Sequence, residues 1–294
     1  MIYYRSANQY FKEKFGEKVY KIALDGNFTC PNRDGTKGYG GCIFCRDGSG
    51  DFAVSCGEDI NGAIDDAIAV LGKKGKGRYI AYFQSHTNTY GNPEKLERLF
   101  MGAAKREDIA ALSIATRPDC LGSDVMDVIA KVNGIKPVFV ELGLQTIHEK
   151  TAEYIRRGYN LDVYDEAMTR LKAAGIETVV HMILGLPGEN IPMMAKTSEY
   201  ISKSGADGIK FQLLHVLHGT DLEKDYLDGK FDVMTLDGYI EALCACVKAA
   251  GENIIVHRLT GDGAKRDLVA PLWSADKKRV LNEIAKELRP IESN

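Results

Sequence analysis

Two patterns of apolar and polar positions alternate along most of the chain. Apolar residues recur at helical spacing, first at Ile60, Ile64 and Leu71, and a short apolar run over 79–83 follows them. Helical and strand patterns that alternate in this way predict parallel β-α-β units. The pattern predicts strands over 19–24, 79–83, 110–116, 137–144, 176–184 and 208–214, separated by helices over 60–71, 93–105, 123–132, 148–174 and 191–204.

The two ends of the chain lie outside this alternation. The first twenty residues are rich in aromatic residues and lysine, and they predict a helix that leads into the first strand. After the sixth strand, the pattern predicts an acidic connection over 221–232, a helix over 235–250, a strand over 254–257 and a helix over 275–288.

Six predicted strand–helix units indicate an α/β fold, an open and partial (β/α)6 version of the TIM barrel with a C-terminal α/β extension. We predict a core domain over 1–220 and an extension over 221–294 that packs on the barrel. In barrels of this type, functional groups lie on loops at the C-terminal ends of the strands. Polar residues follow four of the predicted strands, at 84–87, 116–119, 145–146 and 185–189.

Composition restricts the class of protein. Hydrophobic residues make up 45% of the chain and charged residues 27%, which is typical of a globular protein. Apolar runs do not approach the ~20 residues of a membrane span, and the N-terminus lacks a signal-peptide layout, so we expect a cytoplasmic protein without a membrane partner. The net charge of −3 gives no global basic field, so a nucleic-acid partner would need a local basic face.

Three cysteines, Cys30, Cys42 and Cys45, lie in a glycine-rich loop after the first predicted strand. Three ligands are too few to close a tetrahedral zinc site, but they can hold an iron–sulfur cluster that keeps one iron free. A partial zinc site or a chance grouping of cysteines is the alternative. The odd total of seven cysteines indicates reduced thiols and not a disulfide framework, and we assign Cys120, Cys244 and Cys246 to packing, among apolar neighbours.

The cysteine loop and the polar strand ends together resemble the radical S-adenosylmethionine (SAM) enzymes. The motifs that carry the resemblance are Gln84-Ser85, Thr116-Arg117-Pro118-Asp119, Glu141-Leu142-Gly143-Leu144-Gln145 and Gly185-Leu186-Pro187-Gly188-Glu189, in that order after the cysteines. Within the family, residues 1–220 look most like the catalytic subunit of Elongator, without its acetyltransferase domain. Eleven residues separate the first two cysteines, whereas the common family spacing is three; the long spacing is a mark of the Elongator-like branch.

The resemblance implies two cofactors, a [4Fe–4S] cluster and SAM. It implies that the three cysteines bind three irons, and that the fourth iron chelates the amino nitrogen and carboxylate of SAM. Reductive cleavage of SAM would then give a 5′-deoxyadenosyl radical that abstracts hydrogen from the substrate. An electron donor such as flavodoxin or ferredoxin is implied as a partner.

The resemblance also assigns roles around SAM. Phe44 would cover the cluster and meet adenine, or be part of the core. Gln84 and Ser85 would hold the SAM amino group, or form a strand-end turn. Gln145 and Arg157 would bind the methionine part, although Arg157 could be a solvated helix charge.

Three further positions complete this predicted set. His181 would contact the SAM ribose, or face a core partner. Arg117 would aid SAM or face substrate. Gly185 belongs to the glycines around Pro187, which would give adenine backbone room. These roles are expectations taken from the family.

For the substrate, the resemblance to Elongator implies tRNA, specifically a wobble uridine with a side chain on carbon 5. It implies processing of an existing side chain, such as a carboxymethylaminomethyl group, without acetyl transfer. The stretch 257–289 holds eight Lys/Arg against five Asp/Glu and could contact phosphate, with Arg258, Lys265 and Arg266 as candidates, or could form a helix that caps the barrel. Two other functions stay open: a radical SAM enzyme acting on a small molecule or porphyrin, as in the coproporphyrinogen oxidase branch, and a non-catalytic iron–sulfur binding module.

Overall fold

A parallel sheet of ten strands forms the centre of the computed structural model, which describes residues 1–46, 53–72, 75–261 and 265–291. The strands within these ranges are β1 (Ile2–Ser6), β2 (Tyr20–Asp25), β3 (Val54–Ser55), β4 (Tyr79–Phe83), β5 (Ile109–Thr116), β6 (Val138–Gln145), β7 (Glu177–Leu184), β8 (Gly208–Leu213), β9 (Val216–Leu217), β10 (Ile255–Arg258), β11 (Leu268–Ala270) and β12 (Leu288–Pro290). In space they follow the order β12-β1-β10-β8-β7-β6-β5-β4-β2-β3, and β9 pairs separately with β11 in antiparallel fashion.

Ten α-helices accompany these strands in the described residues. They are α1 (Ala7–Phe15), α2 (Ile60–Leu71), α3 (Pro93–Ala104), α4 (Ser123–Asn133), α5 (Glu149–Tyr154), α6 (Leu161–Ala173), α7 (Ile191–Lys203), α8 (Asp221–Leu227), α9 (Leu236–Ala250) and α10 (Lys277–Glu287). Their first turns carry typical start signals, such as the Asp59 and Asn92 side chains that accept backbone N–H groups of α2 and α3.

The six predicted strands, β2 and β4 to β8, lie side by side in chain order, which confirms the α/β prediction. Two side-chain contacts show that this sheet curves into a partial barrel. Lys210 Nζ on β8 lies 3.3 Å from Tyr82 Oη on β4, and Lys21 Nζ on β2 lies 3.0 Å from Glu141 Oε1 on β6. Because β8 and β4 would be about 19 Å apart in a flat sheet, the first contact requires strong curvature.

Alternation along the strands separates two environments. On β6, Val138, Val140 and Leu142 point outward and join the core formed with the helices, whereas Phe139 and Glu141 point into the barrel. Helix α1 closes one end of this interior, where Phe11 packs against Phe139 with a ring-centroid distance of 5.4 Å. The end that α1 closes holds the N-termini of the strands, so the opposite edge remains for the functional loops.

The two chain ends differ from the sequence prediction. The prediction of a helix over the first twenty residues is wrong for 2–6, which form β1, because β1 pairs with β10 and β12 from the far end of the chain. The predicted acidic connection contains helix α8, which begins after Thr220. The last predicted helix is shorter, since Leu272–Ala275 form a 3-10 turn and β12 begins at Leu288.

The division of the chain at residue 220 stays a prediction. Helices long and apolar enough to cross a membrane are absent from the described part of the chain.

Candidate functional site

The cysteine loop lies at the C-terminal end of β2 and is fixed by backbone hydrogen bonds. The Arg33 amide donates to the Cys30 carbonyl, and the Cys45 amide donates to the Cys42 carbonyl, each at 2.8 Å. Ile43, between the last two cysteines, bonds to the backbone of Ile155 at 3.2 Å and of Leu222 at 3.0 Å. All seven cysteines are free thiols. The loop is therefore held in place by the polypeptide on both sides.

The three thiols are close enough to influence each other's ionisation. Burial raises the pKa of Cys45 to about 11, and the negative charge of ionised Cys42 adds to this, while Arg33 opposes it. Burial likewise raises the pKa of Cys42, against the effects of Arg117 and Asn32. Because thiolates are the form that binds metal, this loop needs added positive charge to ionise fully, as a bound metal centre supplies.

The three thiols of the loop are one ligand short of a closed tetrahedral zinc site and are enough for a cluster with one free iron. Among the described residues, no three His, Cys, Asp or Glu side chains converge closely enough to hold one metal ion.

Two neighbours of the cysteines were missed in the sequence prediction. Asn32 donates to the backbone carbonyls of Arg156 and Arg157 and lies 3.7 Å from Cys42 Sγ. Arg33 Nη1 donates to the Arg46 carbonyl at 3.1 Å and lies 4.0 Å from Cys45 Sγ. They lie two and three residues after Cys30, in the same turn. Their closeness in sequence to a predicted ligand is the signal that could have identified them.

The backbone approaches Asn32 closely at Gly158. A Cβ at this position would lie 2.5 Å from Asn32 Oδ1, and the φ of +79° is in the left-handed region. Only glycine satisfies both conditions without strain. The contact joins the cysteine loop to the segment after α5.

Polar residues from neighbouring strands meet at the same edge as the cysteines. Ser85 follows β4, and Asn88 Nδ2 donates to its carbonyl and to that of Ala115 on β5, both at 3.0 Å. The Thr87 amide donates to the Thr29 carbonyl, beside Cys30, at 3.3 Å. Gln84 and Ser85 are both buried in this region. The predicted SAM-binding turn is thus fixed to the cysteine loop and to β5.

Gln145, at the end of β6, has two unusual features. Its φ of +69° lies in the left-handed region, which non-glycine residues rarely adopt. Its Oε1 atom is buried and has no hydrogen-bond partner among the described residues. A buried unsatisfied amide oxygen costs about 1–3 kcal/mol, so a ligand with a hydrogen-bond donor would be stabilised here. This agrees with the predicted contact to the methionine part of SAM.

The structure contradicts one of the two roles considered for Arg157, the solvated helix charge. Arg157 lies between α5 and α6 and not in a helix, and it is only 2% exposed, so the solvated helix charge is wrong. Its guanidinium donates to the carbonyls of Thr146 and Tyr159 at 2.6 and 2.9 Å, and to Glu149 Oε1 at 3.1 Å. These partners occupy much of the fork, so Arg157 positions the segment after Gln145, and a direct SAM contact stays a prediction.

Arg117, after β5, is also paired. It forms a bidentate ion pair with Asp119, at 2.9 Å for both contacts, and lies over the Tyr159 ring at 5.1 Å. Lys37 of the cysteine loop contacts the same Asp119 at 2.7 Å. Arg117 therefore places a fixed cation beside Cys42.

His181 lies inside the barrel on β7, with protein partners on both ring nitrogens. Nε2 lies 2.8 Å from Glu141 Oε2, and Nδ1 lies 3.2 Å from Gln212 Nε2. Burial lowers the pKa of His181 to about 4, so the ring is neutral near pH 7. Of the two predicted roles, the structure favours the paired core histidine, and the ribose contact stays a prediction.

Gly185 begins the loop after β7, with a φ of +86°. A Cβ here would lie 3.0 Å from Met234 Sδ, so glycine allows the 230–234 segment to approach. The two segments line a cleft of about 290 Å³. Phe44 is partly buried and packs against the apolar group that includes Ile183 and Leu186. The adenine contacts predicted for Gly185 and Phe44 stay predictions.

The three substrate candidates fall in two places. Arg258, on β10, pairs in register with Lys210 on β8, which points into the barrel. Lys265 and Arg266 are exposed, and Arg266 contacts Asp267 at 3.3 Å. Because Asp267 also pairs with Arg46, the second group lies beside the cysteine loop.

Comparison with family models gives two matches. The model described as the Radical SAM superfamily matches residues 30–201, and the model described as the Radical SAM C-terminal domain matches residues 206–290. The chain belongs to the radical SAM superfamily. Its cofactors are therefore a [4Fe–4S] cluster and SAM.

Individual relatives of this radical SAM protein support the assignment. The uncharacterized protein YtqA of Bacillus subtilis is 43% identical over 97% of this chain and 89% of its own length. The tRNA uridine(34) acetyltransferase of Methanocaldococcus jannaschii is 30% identical, but over only 41% of this chain and 22% of its own. The archaeal Elp3 structure of Methanocaldococcus infernus has a TM-score of 0.67 at 19% identity, covering 91% of this chain and 63% of that one, and shows the same fold.

The site residues fit these radical SAM cofactors in two respects. The thiols of Cys30, Cys42 and Cys45 are grouped beside the cations of Arg33 and Arg117. The unsatisfied Gln145 oxygen lies at the same strand edge. The individual contacts remain predictions.

Proposed function

We propose that this protein is a tRNA-modifying radical SAM enzyme that acts on the carbon-5 side chain of a wobble uridine, of the carboxymethylaminomethyl type. The observation that carries the proposal is the similarity to the tRNA uridine(34) acetyltransferase, at 30% identity over 41% of this chain. The matched family over 30–201 supports the chemistry, and the relative's name supports the substrate class.

In this proposal, Cys30, Cys42 and Cys45 hold the cluster, and Arg33 and Arg117 stabilise its thiolates. When bound, the cluster and SAM supply the electron and the 5′-deoxyadenosyl radical that removes a hydrogen atom from the substrate. Cluster-bound thiolates are favoured by cations nearby, as Arg117 and Arg33 lower the pKa of the buried cysteines against desolvation.

The polar strand ends orient SAM. Gln145 would offer its buried Oε1 acceptor, which has no partner among the described residues, to the methionine part of SAM. Gln84 and Ser85 contribute from the neighbouring strand, and Arg157 holds the segment after Gln145 through Thr146 and Glu149. Phe44 and Gly185 bound the adenine side, and the barrel walls exclude water from the reacting groups.

For tRNA, the exposed Lys265 and Arg266 beside the cysteine loop provide phosphate contacts near the open edge of the barrel. A flavodoxin or ferredoxin supplies the electron. A cytoplasmic location is part of this proposal.

The test is an anaerobic assay of SAM cleavage. The protein is reconstituted with iron and sulfide, mixed with SAM and dithionite, and 5′-deoxyadenosine is measured by chromatography with and without bulk tRNA. We expect formation that increases with tRNA and is lost when the tRNA is first digested with ribonuclease. Cys42→Ala is the matched control without cluster.

Other outcomes have distinct meanings. Formation of 5′-deoxyadenosine that does not change with tRNA would reject tRNA as the substrate and favour a small-molecule substrate. An intact cluster that forms no 5′-deoxyadenosine would favour a non-catalytic iron–sulfur binding module. A tRNA-dependent result would be followed by mass spectrometry of the wobble nucleoside.

A further inference from the structure

A group of charged side chains, of which Glu141 and Lys210 are buried and Lys21 is partly exposed, lines the interior of the barrel. Glu141 on β6 is fully buried and contacts Lys210, Lys21 and His181 from three other strands. Ser113 donates to its Oε1 atom, and Lys210 also lies 3.3 Å from Tyr82 Oη. Six strands thus contribute polar groups to one layer of the interior, which would be expensive to desolvate without a function.

The charges in this layer do not balance. Glu141 is the anion, because Lys21 and Lys210 outweigh the effect of burial and leave its pKa below the ordinary value. Lys21 and Arg258 are cations, and burial lowers the pKa of Lys210 to about 7, so it is partly protonated near neutral pH. His181 is neutral. One carboxylate therefore faces two full positive charges and part of a third.

Arg258 is the cation that this layer leaves over. The backbone of Arg258 pairs in register with Lys210. Its charge lowers the pKa values of Lys210, His181 and Tyr82, although burial or another charged group has the larger effect in each case. Within the described residues, its guanidinium has no hydrogen bond or ion pair with a side chain or carbonyl, in contrast to Arg117 and Arg157. A guanidinium on a strand that lines the interior can receive an anion from outside the chain.

The neighbouring residue shows the same unmet polarity. Both ring nitrogens of His257 are buried without a hydrogen-bond partner in the described part of the chain. Its ring packs against Phe11, with centroids 5.5 Å apart, near the closed end of the barrel. Burial lowers the pKa of His257 well below its ordinary value, so it adds no compensating charge. The unpaired polar groups of β10 therefore face the layer that carries excess positive charge.

We propose that Arg258 and Lys210 bind a carboxylate of the substrate inside the barrel. The inference rests on the proposed function and deepens it: the carboxylate is that of the carboxymethylaminomethyl side chain. Arg258 supplies a planar guanidinium that matches a carboxylate. Lys210 supplies an amine that becomes fully protonated when the anion is present.

The position of the layer favours a carboxylate over a backbone phosphate. Lys210 is 3% exposed, and its side chain points into an interior that is narrow enough for Lys210 and Tyr82 to contact each other. A slender side chain on an unstacked base can enter such an interior, since single-stranded loops expose their bases, whereas a phosphate stays on the chain outside. The exposed Lys265 and Arg266 serve the phosphates.

Binding of short anticodon stem–loops to the reconstituted protein with SAM, without reductant, tests this by fluorescence anisotropy. Three RNAs differ only at the wobble position, which carries 5-carboxymethylaminomethyluridine, its methyl ester, which lacks the carboxylate charge, or 5-aminomethyluridine. We expect the carboxylate RNA to bind about tenfold or more tightly than the ester, the loss expected for one charge-assisted contact. Arg258→Gln should remove this preference and leave binding of the ester RNA unchanged.

Two variants make the result specific. Arg78→Gln removes a guanidinium at the closed end of the barrel, where Arg78 pairs with Glu17, and should leave all three affinities unchanged. Arg258→Lys keeps the charge and should retain part of the preference for the carboxylate RNA. It replaces Arg258→Gln as the test if cluster absorbance shows that Arg258→Gln is poorly folded.

Three outcomes would overturn the inference. Equal wild-type affinities, with SAM cleavage still stimulated by tRNA, would reject the carboxylate site and keep the proposed function. An Arg258→Gln variant that weakens all RNAs equally would assign Arg258 to phosphate. Failure of every RNA to bind, with no stimulation of SAM cleavage, would reject the proposed function itself.

Discussion

Replacement of Glu141 by Gln tests whether the buried charge layer is held by its single carboxylate. The side chain of Glu141 is 0% exposed, and it contacts Lys210, Lys21 at 3.0 Å and His181 at 2.8 Å. Glutamine has nearly the same shape and keeps an acceptor for Ser113 and His181. The substitution therefore removes the charge with little change in volume.

The expected loss is large because Lys21 and the partly protonated Lys210 lose the carboxylate that compensates them. Removing one partner of a buried ion pair costs about 3–5 kcal/mol, since the remaining charge loses its compensation. For a chain of this size, that corresponds to a decrease of about 6–10 °C in the thermal midpoint. Glu97→Gln breaks the exposed pair with Lys131 and serves as a control, with an expected loss of about 0–1 kcal/mol.

The assay is thermal unfolding of the anaerobically reconstituted protein, followed by circular dichroism for the wild type, Glu141→Gln, Glu97→Gln and the double variant Glu141→Gln/Lys210→Met. We expect the double variant to be more stable than Glu141→Gln alone, because it no longer buries the lysine charge that Glu141 compensated. If Glu141→Gln unfolds at the same temperature as Glu97→Gln, the carboxylate does not hold this layer together and the reasoning is wrong.

Three further predictions concern the cysteines, Arg157 and Lys210. Cys42→Ala should abolish the visible iron–sulfur absorbance and Cys120→Ala should keep it; an unchanged Cys42→Ala spectrum would remove the central claim of the site. Arg157→Ala should weaken SAM binding about tenfold or more in equilibrium dialysis, because the segment after Gln145 loses its anchor, and should leave the cluster spectrum intact; unaltered affinity would separate Arg157 from the SAM site. The folded-state pKa of Lys210 is about 7 against an ordinary 10.5, so the unfolded chain binds the extra proton between these values and stability rises with pH. In urea unfolding, Lys210→Met should reduce that rise by at most about 1.4 kcal/mol per pH unit, and an identical slope in both proteins would refute the shifted pKa.

Much of the central fold was predictable because β-α-β units are local patterns. Ile60, Ile64 and Leu71 lie on one face of α2, as their spacing required, and all six predicted strands occur in chain order in the sheet. The failure at β1 has a clear cause. Its five residues are stabilised by pairing with β10 and β12, more than two hundred and forty residues away, and no local pattern records that pairing.

The site was predictable in its donors and not in its partners. The cysteine spacing and the polar strand ends identified the cofactor class, which the family comparison confirmed. The contacts of Arg157 and His181 could not be predicted from the sequence, because they depend on which groups the folded chain brings within hydrogen-bond distance. The signal for the buried layer was present in the sequence, since Glu141 interrupts an apolar strand at an inward position, but its cations lie 69 and 120 residues away.

The sequence by itself determined the order of the elements and the membership of the radical SAM superfamily, and it gave the prediction of three cluster cysteines, since these depend on residue type and spacing along the chain. Only the tertiary structure decided the closure of one barrel end by α1, the occupation of Arg157 by Thr146 and Glu149, and the excess of positive charge around Glu141. Curvature of the sheet is the physical reason: it brings side chains of β2, β4, β6, β8 and β10 into one desolvated interior, where charges separated along the chain interact directly.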